Sequence, residues 1–359
     1  MRAAVRSLFR AGADRSDRNA TPVVALAHNE ANILREFLAH YRSICRPSFF
    51  IVDDRSDDGT AEILAGEPDV TVFHPVLGSD YRQHQATWRN EILDAYGDGL
   101  WCLVPDIDEH FVWPDAEDRP FADYCDALAD EGAEAVVTLM VDMYADAGLR
   151  DHVFDAGLGH SLREAFPYFD GPAPAPHGYF MRRLRRRALS QYATPPVRLL
   201  GGMRARLFDG IDVPSPIASF LLERLHRLDR PIHAALPERA AERLAWRLTK
   251  HTLKGQATKV GLLRWRRGLS FNAGPHKVDG HLPVSESIAA FLHYRFTRGI
   301  GGVEYALARG NHHDGSRAYR EVLERAELMA RSPVWTYSRR YWSSRSLDGL
   351  IRDIPAARS

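Results

Sequence analysis

The chain has 359 residues, with 47 Lys and Arg against 47 Asp and Glu and an apolar content of 45%. That describes a globular protein large enough for one big core or two, and no run of about 18 uncharged apolar residues marks a membrane-spanning helix. Three widely spaced cysteines without a CxxC pair exclude a disulfide framework or a structural zinc site and suit a reducing, cytoplasmic compartment, while the balanced charge argues against nucleic acid as a partner.

The balance hides an asymmetry. Residues 1–180 hold 14 basic and 32 acidic residues, and residues 181–359 hold 33 and 15. An acidic half suits a cation, and a basic half suits phosphates or an anionic surface. Mutual attraction of the two halves is the plainer use of the same charges.

In chain order, residues 1–20 form a basic leader without a long apolar stretch, expected to be frayed or to be a short amphipathic helix at an anionic membrane. TPVVALAHNE reads as a short buried strand, Val23–Ala27, followed by polar His28, Asn29 and Glu30. EANILREFLAHYRSI has the apolar spacing of an amphipathic helix. SFFIVDD is a second strand ending in Asp53 and Asp54, and RSDDGTAEILAG is a turn and helix with Thr60 as N-cap and Gly66 as stop. DVTVFHP is a third strand, DYRQHQATWRNEILDAYGDG a helix closed by glycine, and LWCLV a fourth strand running into PDIDEH. This β-α-β-α-β-α-β order is the signature of a mainly parallel, Rossmann-like α/β sheet flanked by helices, in which ligands bind outside the carboxyl ends of the strands.

Further on, AEAVVTLMVDMY is a strand with Asp142 near its end, and residues 151–178 read as a long loop of the kind that serves as a lid. VRLLGGMRARLF places a glycine pair beside a basic, strand-like segment. LPERAAERLAWRLTKHTL is helical with Trp246 and leucines on one face, KVGLLRWRRGLSFNAGPHKVDG is strand, turn, strand and loop, and SIAAFLHYRF carries an internal His293. Residues 301–359 read as a mostly helical extension with an Arg, Tyr and Trp-rich tail. MRRLRRR (Met181–Arg187) reads as a solvated face or a patch for an anionic lipid or glycan, and GNHHDG (Gly310–Gly315) as a loop, since adjacent histidines lack the i, i+4 spacing of a helical zinc site.

The chemistry concentrates in WCLVPDIDEHF, where Asp106, Asp108 and Glu109 fall within four residues at a strand end. Like charges so close repel, so they are either solvated or gathered around something positive. Mg2+ or Mn2+ takes hard oxygen ligands and commonly uses one or two carboxylates while substrate phosphates complete its shell. A carboxylate at the second strand end can accept hydrogen bonds from a nucleobase or a ribose, although Asp57, Asp58 and Thr60 also serve as a plain helix-capping turn.

Taken in order, VVALAHNEANILREFLAHY, FFIVDDRSDDGTAEIL, YRQHQATWRNEILDAYGDGLWCLVPDIDE and GGMRARLF resemble the family-two type of GT-A glycosyltransferases, in the bacterial branch with a D-x-D-E signature. The likeness is good from about residue 21 to 145, thinner from 198 to 296, and absent at both ends and over 151–180. It implies a nucleotide-binding half at 21–145 and an acceptor half at 146–300 of one GT-A-like domain. It also implies a nucleotide-diphosphate-sugar donor, a glycan, lipid-linked or small acceptor hydroxyl, and Mn2+ or Mg2+. Carried over, Ala27, His28, Glu30, Asp53 and Asp54 line the nucleotide pocket, and Asp106 and Asp108 are the D-x-D pair. Asp108 is the direct metal ligand in this reading, and His276 is a late ligand with His293 its rival. Arg204, Arg206, Lys259 and Arg264 offer phosphate contacts. Asp108 and the general-base candidates Glu109, Asp142, Asp209, Asp212 and Asp279 complete the catalytic expectation.

The family's acidic pair after the GG segment is missing here, which leaves the inverting outcome and the base open. It also motivates the alternative of a non-catalytic nucleotide-sugar-binding or scaffold protein. A nucleotidyltransferase would open with a Gly-rich basic loop, and a dehydrogenase with G-x-G-x-x-G; AHNEAN is neither. The cysteines point to a cytoplasmic protein, and the leader and the MRRLRRR patch to a peripheral contact at the inner membrane face.

Overall fold

The computed structural model describes residues 7–355 except 185–188, 190–192, 209–215, 234, 250–255, 273, 311–318 and 321. Strands β1 (Leu8–Ala11), β2 (Thr21–Ala27), β3 (Pro47–Asp53), β4 (Val70–Pro75) and β5 (Trp101–Leu103) alternate, after β1, with helices α1 (Leu34–Ile44), α2 (Thr60–Gly66) and α3 (Tyr81–Tyr96). Then come β6 (Glu109–Val112), α4 (Phe121–Asp130), β7 (Ala135–Tyr144), α5 (Leu162–Ala165), β8 (Tyr168–Asp170), β9 (Phe180–Arg183) and β10 (Val197–Leu200). Helices α6 (Met203–Phe208), α7 (Pro216–Leu225) and α8 (Leu236–Thr249) lead to β11 (Thr258–Arg264), β12 (Ser270–Phe271), β13 (Val278–Asp279) and β14 (Val284–His293). The chain closes with α9 (Gly299–Arg309), α10 (Ala326–Met329) and β15 (Ser338–Arg340). No helix among the described residues is long and apolar enough to cross a membrane.

The main sheet has the order β1-β4-β3-β2-β5-β11-β7-β14-β6, with β8 and β15 attached beyond β7. It is a mixed sheet rather than a uniformly parallel one. β2, β3, β4 and β5 run parallel, β11 runs against both β5 and β7, and β14 runs with β7. The carboxyl ends of β2, β3, β5, β7 and β14 therefore share one edge, and the amino ends of the reversed strands β11 and β6 reach it too. From β2 the chain winds outward through β3 and β4, then crosses back to lay β5 on the other side of β2. That reversal opens a crevice at the carboxyl ends of β2 and β5, the usual ligand position in such sheets. All ten residues of β7 are buried, as expected of a strand covered on both faces.

Several local readings change. The leader is not frayed throughout: Leu8–Ala11 pairs antiparallel with β4, with Leu8 opposite Pro75 and buried in the main core. Thr60 is the first residue of α2 rather than its cap; the Asp58 carboxylate accepts from its backbone N–H and hydroxyl, while Thr60 Oγ1 accepts from the Glu30 N–H. MRARLF is helix, not strand. Gly201 and Gly202, at φ +96° and +81°, make the turn into it where an added Cβ would strike Gly178 or the Tyr179 ring. Residues 151–178 contain α5 and β8, and none of them lines the cavity described below, so they are no lid over it. The described part of 319–355 is not mainly helical: β15 pairs with β8, and buried Asp170 accepts from Tyr144 Oη, Arg206 and Trp335 Nε1, tying the tail to the sheet. Asp209, Asp212 and most of GNHHDG lie outside the described residues, as do Arg185–Arg187.

Under the sheet edge, His40 of α1 stacks on His110 of β6 with ring centroids 4.2 Å apart, and its Nε2 lies 3.1 Å from the Phe111 carbonyl, which makes that nitrogen the donor. Burial, with Arg163 adding to it, lowers the His40 pKa to about 3. The folded state thus holds His40 neutral while the unfolded chain protonates it near 6.5. Stability is intact above that value and falls by about 1.4 kcal/mol per pH unit on acidification towards the folded pKa. Urea unfolding of the wild type and of His40→Phe between pH 7.5 and 5 is expected to differ in slope by about one proton, the variant being the flatter.

Candidate active site

A cavity of 580 Å³ opens at the crevice. Its floor is the end of β2 (Leu26, Ala27) and the segment after β5 (Asp106, Ile107, Asp108), and its walls come from α3, the β11–β13 region and α9.

The D-x-D-E carboxylates are met there by the protein's own cations. Asp106 Oδ1 accepts from Arg89 Nη2 at 2.8 Å, and its Oδ2 accepts from Lys259 Nζ. Lys259, at the start of β11 and fully buried, also lies 2.7 and 2.8 Å from the two oxygens of Glu109. Burial alone would strip Lys259 of its proton; Asp106 and Glu109 raise its pKa instead. Burial would likewise favour protonated Asp106, but Lys259 and Arg89 hold its carboxyl well below the usual carboxylate range. For fully buried Glu109 burial wins, and its pKa is raised despite Lys259.

A second chain of alternating charge stands beside the first. His293, the last residue of β14, is in register with Glu109 on β6 and Asp142 on β7. Its Nδ1 lies 2.7 Å from Asp142 Oδ1 and its Nε2 3.3 Å from Asp108 Oδ2. Arg204 Nε donates to Asp142 Oδ2 at 2.7 Å, and Tyr179 Oη accepts from the Asp142 N–H. The Gly201–Gly202 turn delivers Arg204 to this position. Burial opposes a charged imidazole, yet Asp108 and Asp142 lift the His293 pKa to about 9. The same ring, with burial opposing, lowers Asp108 below its ordinary value.

Ligand atoms of Asp108, Glu109 and His293 lie within 4.8 Å of one another, a group able to hold a metal ion. Asp108 Oδ2 and His293 Nε2 fit that use once an ion displaces the Nε2 proton: a metal-bound histidine commonly gives its other nitrogen to a carboxylate, as His293 does to Asp142. Glu109 is already committed to Lys259. Of the other expected ligands, Asp106 has both oxygens taken by Arg89 and Lys259. His276 is directed to the Thr258 carbonyl, 2.7 Å from its Nδ1, which fixes the proton there and leaves Nε2 as an acceptor. Burial and Lys259 lower the His276 pKa to about 4, so it is neutral.

The side of the cavity at the ends of β2 and β3 is equally specific. Asn29 and Arg55, just past the ends of β2 and β3, adopt left-handed φ of 57° and 62°, and Asn29 clamps Asp57 by two hydrogen bonds. His28 Nδ1 lies 2.6 Å from the Asp54 carbonyl, and its ring faces Tyr305 of α9 at 5.9 Å and 18°. The buried Asp54 carboxylate is bound by Arg55 and Arg309, so it orients those cations rather than facing the cavity. Asp53 points elsewhere again, accepting from the Ser56 N–H and facing His74. Glu30 lines the cavity beside Arg298 Nη2 at 3.3 Å, and burial raises its pKa to about 8 against the pull of that arginine.

The structure thus gathers Ala27, His28, Glu30, Asp106, Asp108, Arg204 and His276 at the cavity, and it sets Asp53, Asp54, Glu109, Asp142 and Lys259 behind its lining. Of the other named cations, Arg206 binds Asp170 and Arg264 reaches the Gly99 carbonyl. Asp279 is held by Asn272. The sequence reading missed Arg89, Tyr81 and Gln85 on α3, and Arg298, Tyr305 and Arg309 around α9. The α3 residues recur at i, i+4 and i+8, one face of a helix, and that spacing was the available signal. Nothing local in GIGGVEYALAR marks α9 as a cavity wall. Comparison with models of known protein families and with curated proteins finds no match to this chain.

Removing Lys259 strands the buried carboxylate of Glu109 and leaves Asp106 with Arg89 alone. Lys259→Met is expected to cost about 3–5 kcal/mol in chemical denaturation, and Glu109→Gln added to it to restore a large part of the loss.

Proposed function

We propose that the cavity is the donor site of a metal-dependent glycosyltransferase, moving a sugar from a nucleotide-diphosphate sugar to a hydroxyl of a glycan, lipid-linked or small acceptor. The observation that carries this reading is the Asp108–His293–Asp142 line at the strand-end crevice, beside the stacked rings of His28 and Tyr305 and flanked by arginines. The His28–Tyr305 ring pair, with Tyr305 partly exposed, suits contact with a nucleobase, and Arg298, Arg309 and Arg204 suit the charge of a diphosphate. Ala27 contributes only a methyl group, which keeps the floor open. Asp108 and His293 would hold Mn2+ or Mg2+, with phosphate oxygens and water completing the shell. Bound there, the ion would draw off the negative charge that builds on the departing diphosphate.

The chain's own groups supply the rest. Asp142 and Arg204 fix the His293 ring, and Lys259 with Arg89 keeps Asp106 ionised at the cavity edge. Glu109 and Asp142 are sealed behind these cations, so among the described residues the acceptor proton falls to Glu30 or to Nε2 of His276. A non-catalytic nucleotide-sugar-binding protein is the second reading, favoured by the internal neutralisation of Asp106 and Glu109.

A thermal-shift panel of UDP-, GDP-, dTDP- and CMP-sugars with Mn2+, Mg2+ or EDTA tests the donor site, because a ligand specific to the folded state raises Tm. One nucleotide series is expected to shift Tm only with metal, and the shift to vanish in Asp108→Ala. A shift that survives Asp108→Ala or EDTA sinks the metal assignment. With donor hydrolysis or transfer as the readout, whichever of Glu30→Gln and His276→Gln removes the base abolishes turnover and keeps the shift. Binding without turnover across acceptors favours the second reading.

A further inference from the structure

The segment 181–255 carries 16 basic and 6 acidic residues and leaves the cavity wall after Arg204 to return at Gln256. Its described core is the helical pair α7–α8, anchored by Arg183 of β9, which donates to Glu242 and to the Pro231 and Ile232 carbonyls.

Helix α8 buries Ala245 and turns Glu238 and Glu242 towards their partners Arg230 and Arg183. Its outward face is unusual for a solvated helix. Leu236 and Leu244 are 75% and 59% exposed, and exposed Arg239, Arg243 and Arg247 recur at i, i+4 and i+8 beside them. No acidic residue shares that stripe. On α7 the outward face holds Ile217 and Phe220, 66% and 57% exposed, with the Arg224 guanidinium 5.9 Å from the Phe220 ring and Glu223 as its acid.

Water alone gives no reason to expose four large apolar side chains on one short hairpin. A symmetric second copy is disfavoured by charge, since an isologous contact through α8 would set the arginine stripe against itself. Leucines interleaved with arginines on one exposed helix face are the pattern of a helix lying in a lipid interface, the apolar tips entering the acyl boundary and the guanidinium groups staying among anionic headgroups.

We propose that the α7–α8 hairpin docks the protein on an anionic membrane surface, through Ile217, Phe220, Leu236 and Leu244 together with Arg239, Arg243 and Arg247. The docking stands independently of the donor-site reading. Where that reading also holds, the hairpin brings a lipid-linked acceptor to the cavity wall from which it springs.

The test is co-sedimentation of the full chain with vesicles of phosphatidylcholine alone and with roughly one-third phosphatidylglycerol, at low and high salt. Binding is expected only with the anionic lipid and is expected to weaken with salt. It is expected to fall about fivefold for each of Arg239→Glu and Arg243→Glu, and by tenfold or more in Leu236→Asp/Leu244→Asp. All four side chains are exposed, and unchanged circular dichroism and Tm establish that the variants fold. Equal binding to neutral vesicles, no binding to anionic ones, or binding indifferent to the leucine pair overturns the proposal. So does a wild-type oligomer that ignores vesicles and is dispersed by the same leucine substitutions, or retention on an acidic protein surface without retention on lipid.

Discussion

A buried ammonium is costly unless something repays its lost hydration, and at the centre of this protein Lys259 is repaid by two carboxylates. Its position near the amino end of the reversed strand β11 places it between Asp106 after β5 and Glu109 at the start of β6. The trio sits at the crevice and leaves Asp106 an exposed edge. Three carboxylates in four residues are tolerable because the fold brings its own positive charge from 150 residues away.

This arrangement divides the motif. Asp106 and Glu109 belong to the framework, neutralised by Lys259 and Arg89, while Asp108 turns to His293 and retains the outlook onto the cavity. A D-x-D-E string therefore need not mean that every carboxylate serves a cation. One residue of separation in a turning chain is enough to point the two aspartates at different partners, one structural and one open to a ligand.

The strands and helices of residues 21–145 were legible because their apolar residues alternate between the short buried run of a strand and the 3.6-residue spacing of a helix. The glycines closing α2 and α3 fell where expected, while Thr60, read as a cap, became the first residue of its helix. The ends were not. β1 is four residues with two of them exposed, too weak a pattern to separate from a leader, and β15 exists only because β8 offers it an edge. The site was half legible. Asp108, His28 and Glu30 stand at strand ends where position alone points to a ligand. Lys259 and His293 could be named but not placed, since their meaning depends on which strands become neighbours. Asp54 shows the opposite failure: its position is right for a base contact, but two arginines occupy it, one of them from a helix 255 residues away.

The ten residues of β14 have a consequence beyond burial. They run between β7 and β6, and the last of them meets Asp142 on one side and Glu109 on the other. Side chains along a strand alternate faces, so shortening β14 by one residue would turn His293 over and separate it from both carboxylates at once. The length of this strand is thus a measuring device. Its interior can accept one apolar residue for another of like size, whereas a single insertion or deletion changes what lies at its tip.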